Sequence, residues 1–487
     1  MRRIYKFFIV LIIFLGPVTK MFPDDRGDKF DPAPYLGTHW YGVYLMDSKV
    51  GYGYFRLTPS TYHGTPSFTI EFFISYRLNL GGSTQEMTIR EEKIYLPGEG
   101  LTSFISTNDS ILGESSFVGK KVNGQFEVTT PTGKKTIPAA GESLYQALAD
   151  LTLVRSRAKE GTTIETTQIE IALLKAVRII HTVESIEKRT LGGVSTEIYQ
   201  IKSEFPDLGI STISFIDEDL HTLEAKISIL TIREEEEDAA KNMGYVSDLL
   251  LSTSIHPDQP IPEPRNASSL TVKLSGITDP ELIIPSSRQE FTRLDSHTYY
   301  LKINTRNQDS FLPRKVPILD PTLKDHLKAT AYIQSNHPSI RILAKEIVGP
   351  EKDGLRISKM LVEWVYTNLE KSFLAAIPNA VDVLKRRSGD CKAHAVLFAA
   401  LARSLGLPAR LVSGLVETDD GAFYYHQWVE VYTGQWIPVD PVFGTVPVDA
   451  THIKLSQGDL SEQMRLLNAI GNISIEVLDY EQNPVED

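Results

Sequence analysis

The chain has 487 residues, of which 41% are hydrophobic and 23% are charged, and its formal net charge is −12. These proportions are typical of globular proteins, and the length predicts about three domains. The acidic balance disfavours nucleic acid and anionic lipid as partners. Because Cys391 is the only cysteine, an internal disulfide is excluded.

The first residues have the layout of a secretory signal. Residues 1–6 are basic, residues 7–15 form a continuous apolar run, and Gly16-Pro17 follows. The run is shorter than the roughly 20 apolar residues that span a membrane. We therefore expect residues 1–20 to be a signal peptide or an uncleaved signal anchor. The protein would then be extracytoplasmic, either periplasmic or secreted, and attachment to the membrane or cell envelope through this segment stays open.

Strand patterns dominate residues 30–242, which we assign to a β-rich domain. Aromatic and β-branched residues alternate with polar ones in several segments, namely 40–45, 50–55, 67–78, 86–95 and 198–201. A helix is predicted at 143–157. These patterns predict a large, mostly antiparallel sheet or open barrel.

Residues 243–320 are expected to form a linker and a small β module. Prolines crowd residues 256–264, which is typical of a semi-rigid linker. Strands are predicted at 269–274 and 297–303. Helical patterns begin at residue 322, so we assign 322–487 to a separate domain with helices at 339–348 and 355–369 and a last strand at 473–479.

Cys391 stands at the start of a predicted helix, residues 391–404. Gly389-Asp390 is predicted to form a turn and the N-cap, and Gly406 is predicted at the C′ position. Unpaired backbone N–H groups and the positive end of the helix dipole favour a thiolate. We therefore expect the pKa of Cys391 to lie below its ordinary value of about 8.5.

A predicted hairpin carries His426 and Asp440. Its strands, 423–432 and 435–439, are separated by Thr433-Gly434. If Tyr432 pairs with Gln435, Asp440 falls opposite Gln427, whereas a one-residue bulge places it opposite His426. Of these two registers, only the bulged one puts both side chains on the same face.

A cysteine at a helix start, with a base and an acid on a rigid hairpin, meets the requirements of a Cys-His-Asp triad. In this hypothesis Cys391 attacks a carbonyl, His426 takes its proton and later supplies one to the leaving group, and Asp440 fixes the imidazole tautomer. Such a site performs acyl transfer.

Four ordered blocks carry a resemblance to the transglutaminase-like superfamily. They are SGDCKAHA at 388–395, LARSLGLPAR at 401–410, HQWVEV at 426–431 and WIPVDP at 436–441. The resemblance implies a papain-like cysteine hydrolase fold, with Cys391, His426 and Asp440 at the positions of nucleophile, base and orienting acid. Gln427 departs from the pattern, which more often has a small residue there.

Two further points follow from the resemblance. The family commonly uses an upstream residue to stabilise the oxyanion. The sequence does not place that residue here, and Trp364, Tyr366 and Asn368 are only loose candidates for it. Residues 40–55 resemble the start of a β domain that often precedes bacterial transglutaminase-like domains.

Each candidate also has a simpler interpretation. A lone cysteine is usually an inert buried side chain, His426 would then be a polar strand residue, and Asp440 before Pro441 would start a turn. His394, three residues after Cys391, lacks an obvious acidic partner and is expected to pack in the core. The chain has one cysteine, no His-Glu-x-x-His and no calcium or dinucleotide motif, so neither metal nor cofactor is predicted.

The fold class is therefore α+β, with a papain-like catalytic domain after a large β region. The expected function is thiol-dependent acyl transfer or hydrolysis at amide bonds of a peptide or protein substrate through a thioester. The alternative is a non-catalytic transglutaminase-like module for binding or assembly in the cell envelope. Sequence leaves the oligomeric state and the acceptor, amine or water, undecided.

Overall fold

The computed structural model describes residues 31–80, 83–110, 113–131, 133–243, 253–305, 312–372, 378–458 and 463–484. The predicted signal in residues 1–20 lies outside them. The chain divides into two compact units with a boundary at residues 247/248. Within the described ranges no helix combines the length and the apolar character needed to cross a membrane.

The N-terminal unit is built from strands. They are β1 (Gly37–Leu45), β2 (Ser48–Tyr62), β3 (Thr65–Leu80), β4 (Ser83–Leu96), β5 (Gly100–Ser110), β6 (Gly113–Val122), β7 (Gln125–Thr130), β8 (Gly133–Pro138), β9 (Thr163–Glu170), β10 (Lys175–Leu191), β11 (Val194–Phe205), β12 (Ile210–Asp217), β13 (Thr222–Ile227) and β14 (Leu230–Glu234). Its helices are α1 (Leu144–Ala147), α2 (Ala149–Arg155) and α3 (Glu237–Lys241).

These described strands form one 14-stranded sheet, in which β1 pairs with both β2 and β14. The tight β1–β2 turn is made by Met46 and Asp47, which both have positive φ. The predicted antiparallel sheet is therefore present. The single helix expected at 143–157 is instead two helices, because the backbone leaves the helical region at Leu148 (φ −123°, ψ 33°).

The C-terminal unit combines helices and strands. The strands are β15 (Ala267–Ser275), β16 (Gln289–Arg293), β17 (Thr298–Asn304), β18 (Glu370–Lys371), β19 (Ser388–Gly389), β20 (Ala409–Glu417), β21 (Phe423–Tyr432), β22 (Trp436–Val439), β23 (Ile453–Gln457) and β24 (Ser474–Gln482). The helices are α4 (Pro338–Val348), α5 (Gly354–Asn368), α6 (Ala380–Arg386) and α7 (Cys391–Ser404). Together with the first unit this confirms the α+β class.

Two four-stranded sheets organise this unit. One has the order β22-β21-β20-β23 and the other β16-β17-β15-β24. The second sheet contains the strands of the predicted small module, and its β15 pairs with β24 near the end of the chain. The sequence placed residues 243–320 apart from a domain at 322–487, whereas the structure joins the described residues from 253 to 484 in one compact unit.

Helix α7 is the central helix of the C-terminal unit. It packs on β20 and β21 and against α4, α5 and α6. Residues from Cys391 to Arg403 are all buried, as expected for a helix that is covered on every side. The predicted limits 391–404 are confirmed. This packing fixes the position of Cys391 relative to the strand that carries His426.

Truncation of a core side chain on α7 tests this packing. We expect Leu397→Ala, at a fully buried position, to lower the free energy of unfolding of this unit by about 2–5 kcal/mol through the cavity it leaves. Urea unfolding followed by tryptophan fluorescence measures the loss, because three of the four tryptophans lie in this unit. The control Ile342→Ala, at a position 58% exposed, should cost about 0.5 kcal/mol or less. Equal losses in both variants would contradict a packed α7.

Candidate active site

Cys391 is the first residue of α7. Asp390 caps the helix, its Oδ1 accepting a hydrogen bond from the Ala393 N–H at 3.2 Å. The Cys391 residue is only 6% exposed. The backbone N–H of Gln427 donates to its sulfur, so the thiol lies against the strand that carries the candidate base.

The hairpin register brings His426 and Asp440 to one face without a bulge. Tyr432 pairs with Trp436 and Val429 with Val439, so the loop between β21 and β22 has three residues rather than two. Continuing this register places Asp440 opposite Trp428, diagonal to His426 and on the same side of the sheet. Both registers expected from the sequence are therefore wrong. Gly434, with φ 120°, permits the longer loop.

The His426 and Asp440 side chains form a short hydrogen bond. His426 Nε2 lies 2.6 Å from Asp440 Oδ2. The other carboxylate oxygen, Oδ1, accepts the backbone N–H groups of Val442 at 2.6 Å and Phe443 at 3.2 Å. Because an ionised carboxylate only accepts, Nε2 of His426 carries a proton. In the neutral ring, Nδ1 then has the lone pair that a general base needs.

Burial shapes the electrostatics of the three candidate groups. Burial alone would raise the pKa of Asp440, but the hydrogen bonds and electrostatic interactions that its ionised form makes with His426 and His452 hold that pKa well below its usual range. Burial lowers the pKa of His426, although Asp440 opposes this change. The imidazole is therefore biased towards its neutral, proton-accepting form.

The pKa of the Cys391 thiol is shifted in the opposite direction from the one expected from the sequence. Burial raises its pKa well above the ordinary value, and the nearby Asp390 carboxylate raises it further. Lys392 and the Gln427 N–H oppose this change without reversing it. The expected lowering of the thiol pKa at the helix start is therefore not found, because burial and the Asp390 carboxylate shift it in the other direction. Cys391 therefore rests as a thiol, against the strand that carries the neutral His426 imidazole.

Aromatic rings enclose the base. The ring of Trp428 lies parallel to His426, 6.1 Å between centroids, and Phe443 lies 5.3 Å away. Trp428 is 1% exposed. Such walls keep water from the His426–Asp440 hydrogen bond, which strengthens the interaction.

The remaining sequence candidates have other partners. His394 is buried, and its Nδ1 donates to the Asp390 carbonyl at 2.7 Å. Asn368 donates to the carbonyl of Trp364, and Tyr366 packs beneath the Lys371 ammonium at 4.2 Å. Gln427, where the family pattern more often has a small residue, is accommodated because its side-chain amide donates hydrogen bonds to Ser413 and Gln463 on the opposite face of the sheet.

Sequence reasoning missed His452. Its Nε2 lies 3.1 Å from the same Asp440 oxygen that binds His426. His452 directly precedes β23 and lies outside the hairpin, so no local spacing indicated it. Its one signal was a histidine next to Asp449-Ala450-Thr451, which is uninformative without the fold.

Among the described residues, two clusters present donor atoms within 4.8 Å of one another that could hold a metal ion. One consists of His426, Asp440 and His452. Its Nε2 atoms and Asp440 Oδ2, which could ligate a metal, already hydrogen-bond to one another. The other, His39, His221 and Glu234, lies in the N-terminal unit, where the Nδ1 atoms of both histidines hydrogen-bond to Glu234 Oε1 at 3.0 and 2.9 Å.

Comparison with known proteins identifies the central part of this unit. Residues 341–441 match the model of the Transglutaminase-like superfamily. At the level of the superfamily, this match supports a cysteine-dependent hydrolase or transferase. No curated protein matches the chain.

Among solved structures, the chain is similar to a candidate cysteine protease from Cytophaga hutchinsonii, with 19% identity, coverage of 45% of this chain and 86% of the other, and a TM-score of 0.27. It is also similar to a beta-barrel-like protein from Brucella abortus, with 9% identity, coverage of 41% of this chain and 94% of the other, and a TM-score of 0.32. A third similar structure is a TGase, with 14% identity, coverage of 31% of this chain and 43% of the other, and a TM-score of 0.18.

The raised pKa of Cys391 can be tested at Asp390. Asp390→Asn keeps an N-cap side chain but removes a charge that raises the thiol pKa. We expect a lower pKa and faster reaction with iodoacetamide near pH 8, since each unit of decrease raises the thiolate fraction up to about tenfold. Because Cys391 is the sole cysteine, intact mass reports the reaction directly. The surface variant Asp325→Asn should react like wild type, and an unchanged or slower rate in Asp390→Asn would contradict the assignment.

Proposed function

Because residues 341–441 belong to the transglutaminase-like superfamily, we propose that this protein is an enzyme that transfers acyl groups from amide carbonyls of peptides or proteins. The proposed catalytic residues are Cys391, His426 and Asp440. The observation that carries the proposal is the 2.6 Å His426–Asp440 hydrogen bond beside the thiol at the start of α7. The signal-like layout of residues 1–20 supports action outside the cytoplasm.

The first half-reaction forms a thioester. His426 Nδ1 takes the thiol proton as the Cys391 sulfur attacks the amide carbonyl, and Asp440 stabilises the imidazolium that results. Backbone N–H groups at the start of α7 are placed to hold the oxyanion. When the tetrahedral intermediate collapses, His426 returns the proton to the departing nitrogen. The products are an acyl-enzyme and a free amine or ammonia.

The neutral resting pair has a kinetic consequence. A buried thiol and imidazole that are both uncharged avoid the cost of burying an ion pair before substrate binds. Charge then develops only during attack, when the substrate oxyanion and the imidazolium form together. This arrangement suits general-base catalysis rather than a preformed thiolate.

The second half-reaction depends on the acceptor. His426 accepts a proton from water or from a primary amine as that acceptor attacks the thioester, and it returns the proton to the departing Cys391 sulfur, which restores the thiol and the neutral imidazole. Water gives deamidation of a glutamine side chain or cleavage of a peptide bond, and we favour this hydrolytic outcome. An amine gives a new amide and therefore cross-linking.

Product masses distinguish these outcomes. Glutamine-containing peptides and an unfolded protein are incubated with the full chain, with and without a fluorescent primary amine, in H₂¹⁸O. We expect ¹⁸O to enter a carboxyl product, or the amine to enter an amide. Cys391→Ala should abolish the product, and His426→Ala and Asp440→Asn should each slow it by at least about 10³-fold.

The matched control is His256→Gln, which replaces an exposed histidine of the same unit and should retain wild-type turnover. Product formation that survives in Cys391→Ala would contradict the proposal. A chain without turnover, in which His426→Ala also leaves the reactivity of Cys391 unchanged, would favour the non-catalytic binding module.

A further inference from the structure

Asp440 binds two imidazoles rather than one. Its Oδ2 accepts from His426 Nε2 at 2.6 Å and from His452 Nε2 at 3.1 Å, while Oδ1 accepts two backbone N–H groups. Both Asp440 and His452 have fully buried side chains. The carboxylate that orients the candidate base is therefore itself bound by a second imidazole, that of His452.

The contacts continue beyond His452. Its Nδ1 lies 3.2 Å from Asp449 Oδ2, and the same oxygen lies 2.8 Å from Arg265 Nη1. Asp449 is anchored by the Thr451 N–H and hydroxyl, at 2.8 and 2.6 Å to its Oδ1. Burial opposes ionisation of Asp449, yet His452 and Arg265 hold its pKa below the usual range.

Aromatic rings enclose these contacts. The Trp428 ring meets His452 edge to face at 5.3 Å, and the Arg265 guanidinium lies 4.4 Å over the Phe443 ring. Asp449 has a side chain only 3% exposed. Because the Asp449 and His452 side chains are shielded from water, each depends on its protein partners, so loss of one member disturbs its neighbours.

We propose that His452 is a positioning residue that acts on His426 through Asp440, held in place by Asp449 and Arg265. This inference rests on the proposed function. The segment that matches the superfamily ends at residue 441, so Arg265, Asp449 and His452 all lie outside it. The chain thus extends its triad with groups from the polypeptide on either side of the matched segment.

His452 has two separable effects. Its hydrogen bond fixes the Asp440 carboxylate. Its electrostatic influence lowers the pKa of His426, in addition to the larger effect of burial and against that of Asp440. The other groups that face this site are Arg265, Lys371 on β18, and Cys391 and His394 on α7. Removing His452 should therefore raise the pKa of His426 and loosen Asp440.

Two substitutions separate these effects. His452→Gln retains an N–H donor for Asp440 but removes the ring, whereas His452→Phe retains a ring without donors. The titration of His426 is followed by NMR of the full chain labelled with ¹³C-histidine, with the resonance assigned by its loss in His426→Ala. The rate of Cys391 alkylation by iodoacetamide is measured over the same pH range.

We expect the His426 pKa to rise in both variants, so that the acidic limb of the rate profile moves to higher pH. Above that limb, His452→Gln should react within about threefold of wild type, whereas His452→Phe should lose about 10- to 100-fold, the range for a hydrogen bond to a charged group. His256→Gln should leave the His426 titration unchanged.

An unchanged His426 pKa in folded His452→Gln would overturn the inference, whether or not His452→Phe folds. Equal alkylation profiles for wild type and His426→Ala would instead overturn the proposed function. The two failures are distinguishable because the NMR titration needs neither substrate nor a reactive thiol.

Discussion

The ionised carboxylate of Asp440, buried without access to water, is the constraint on which the C-terminal unit depends. A buried carboxylate is costly unless hydrogen bonds satisfy its oxygens. Asp440 meets this condition with two backbone N–H groups and two imidazoles. Its own backbone closes the turn after β22, because its N–H donates to the Thr445 carbonyl and its carbonyl accepts from Gly444. The residue that orients the base therefore also stabilises this turn.

The small β module has a defined role in this arrangement. Arg288 donates to the carbonyls of Val448 and Asp449 at 3.0 Å, and Gln289 exchanges hydrogen bonds with the backbone of Lys454. These contacts hold both ends of the segment that carries His452. The residues before the matched superfamily segment therefore position the residues after it. This explains physically why β15–β17 belong to the same compact unit as the candidate site.

The sequence predicted the parts of the site that local rules determine. The limits of α7 followed from the Asp390 cap and the Gly406 stop, and the strand at 423–432 followed from its alternation. The hairpin register did not follow, because Thr433-Gly434 is compatible with either a two- or a three-residue loop. The thiol pKa was mispredicted because burial of Cys391 depends on helices α4, α5 and α6, which are distant in sequence. His452 was missed because its contact with Asp440 depends on the tertiary fold, and no local sequence spacing indicates it.

The central claim is that His426 acts as a general base towards a thiol that burial keeps protonated. The most direct measurement is the pH dependence of Cys391 alkylation by iodoacetamide in wild type and His426→Ala. The account predicts that the wild-type rate rises with deprotonation of His426, whereas the variant reacts only well above about pH 8.5, the ordinary thiol range, because burial and Asp390 still raise the pKa of Cys391. Superimposable profiles for the two proteins would contradict it.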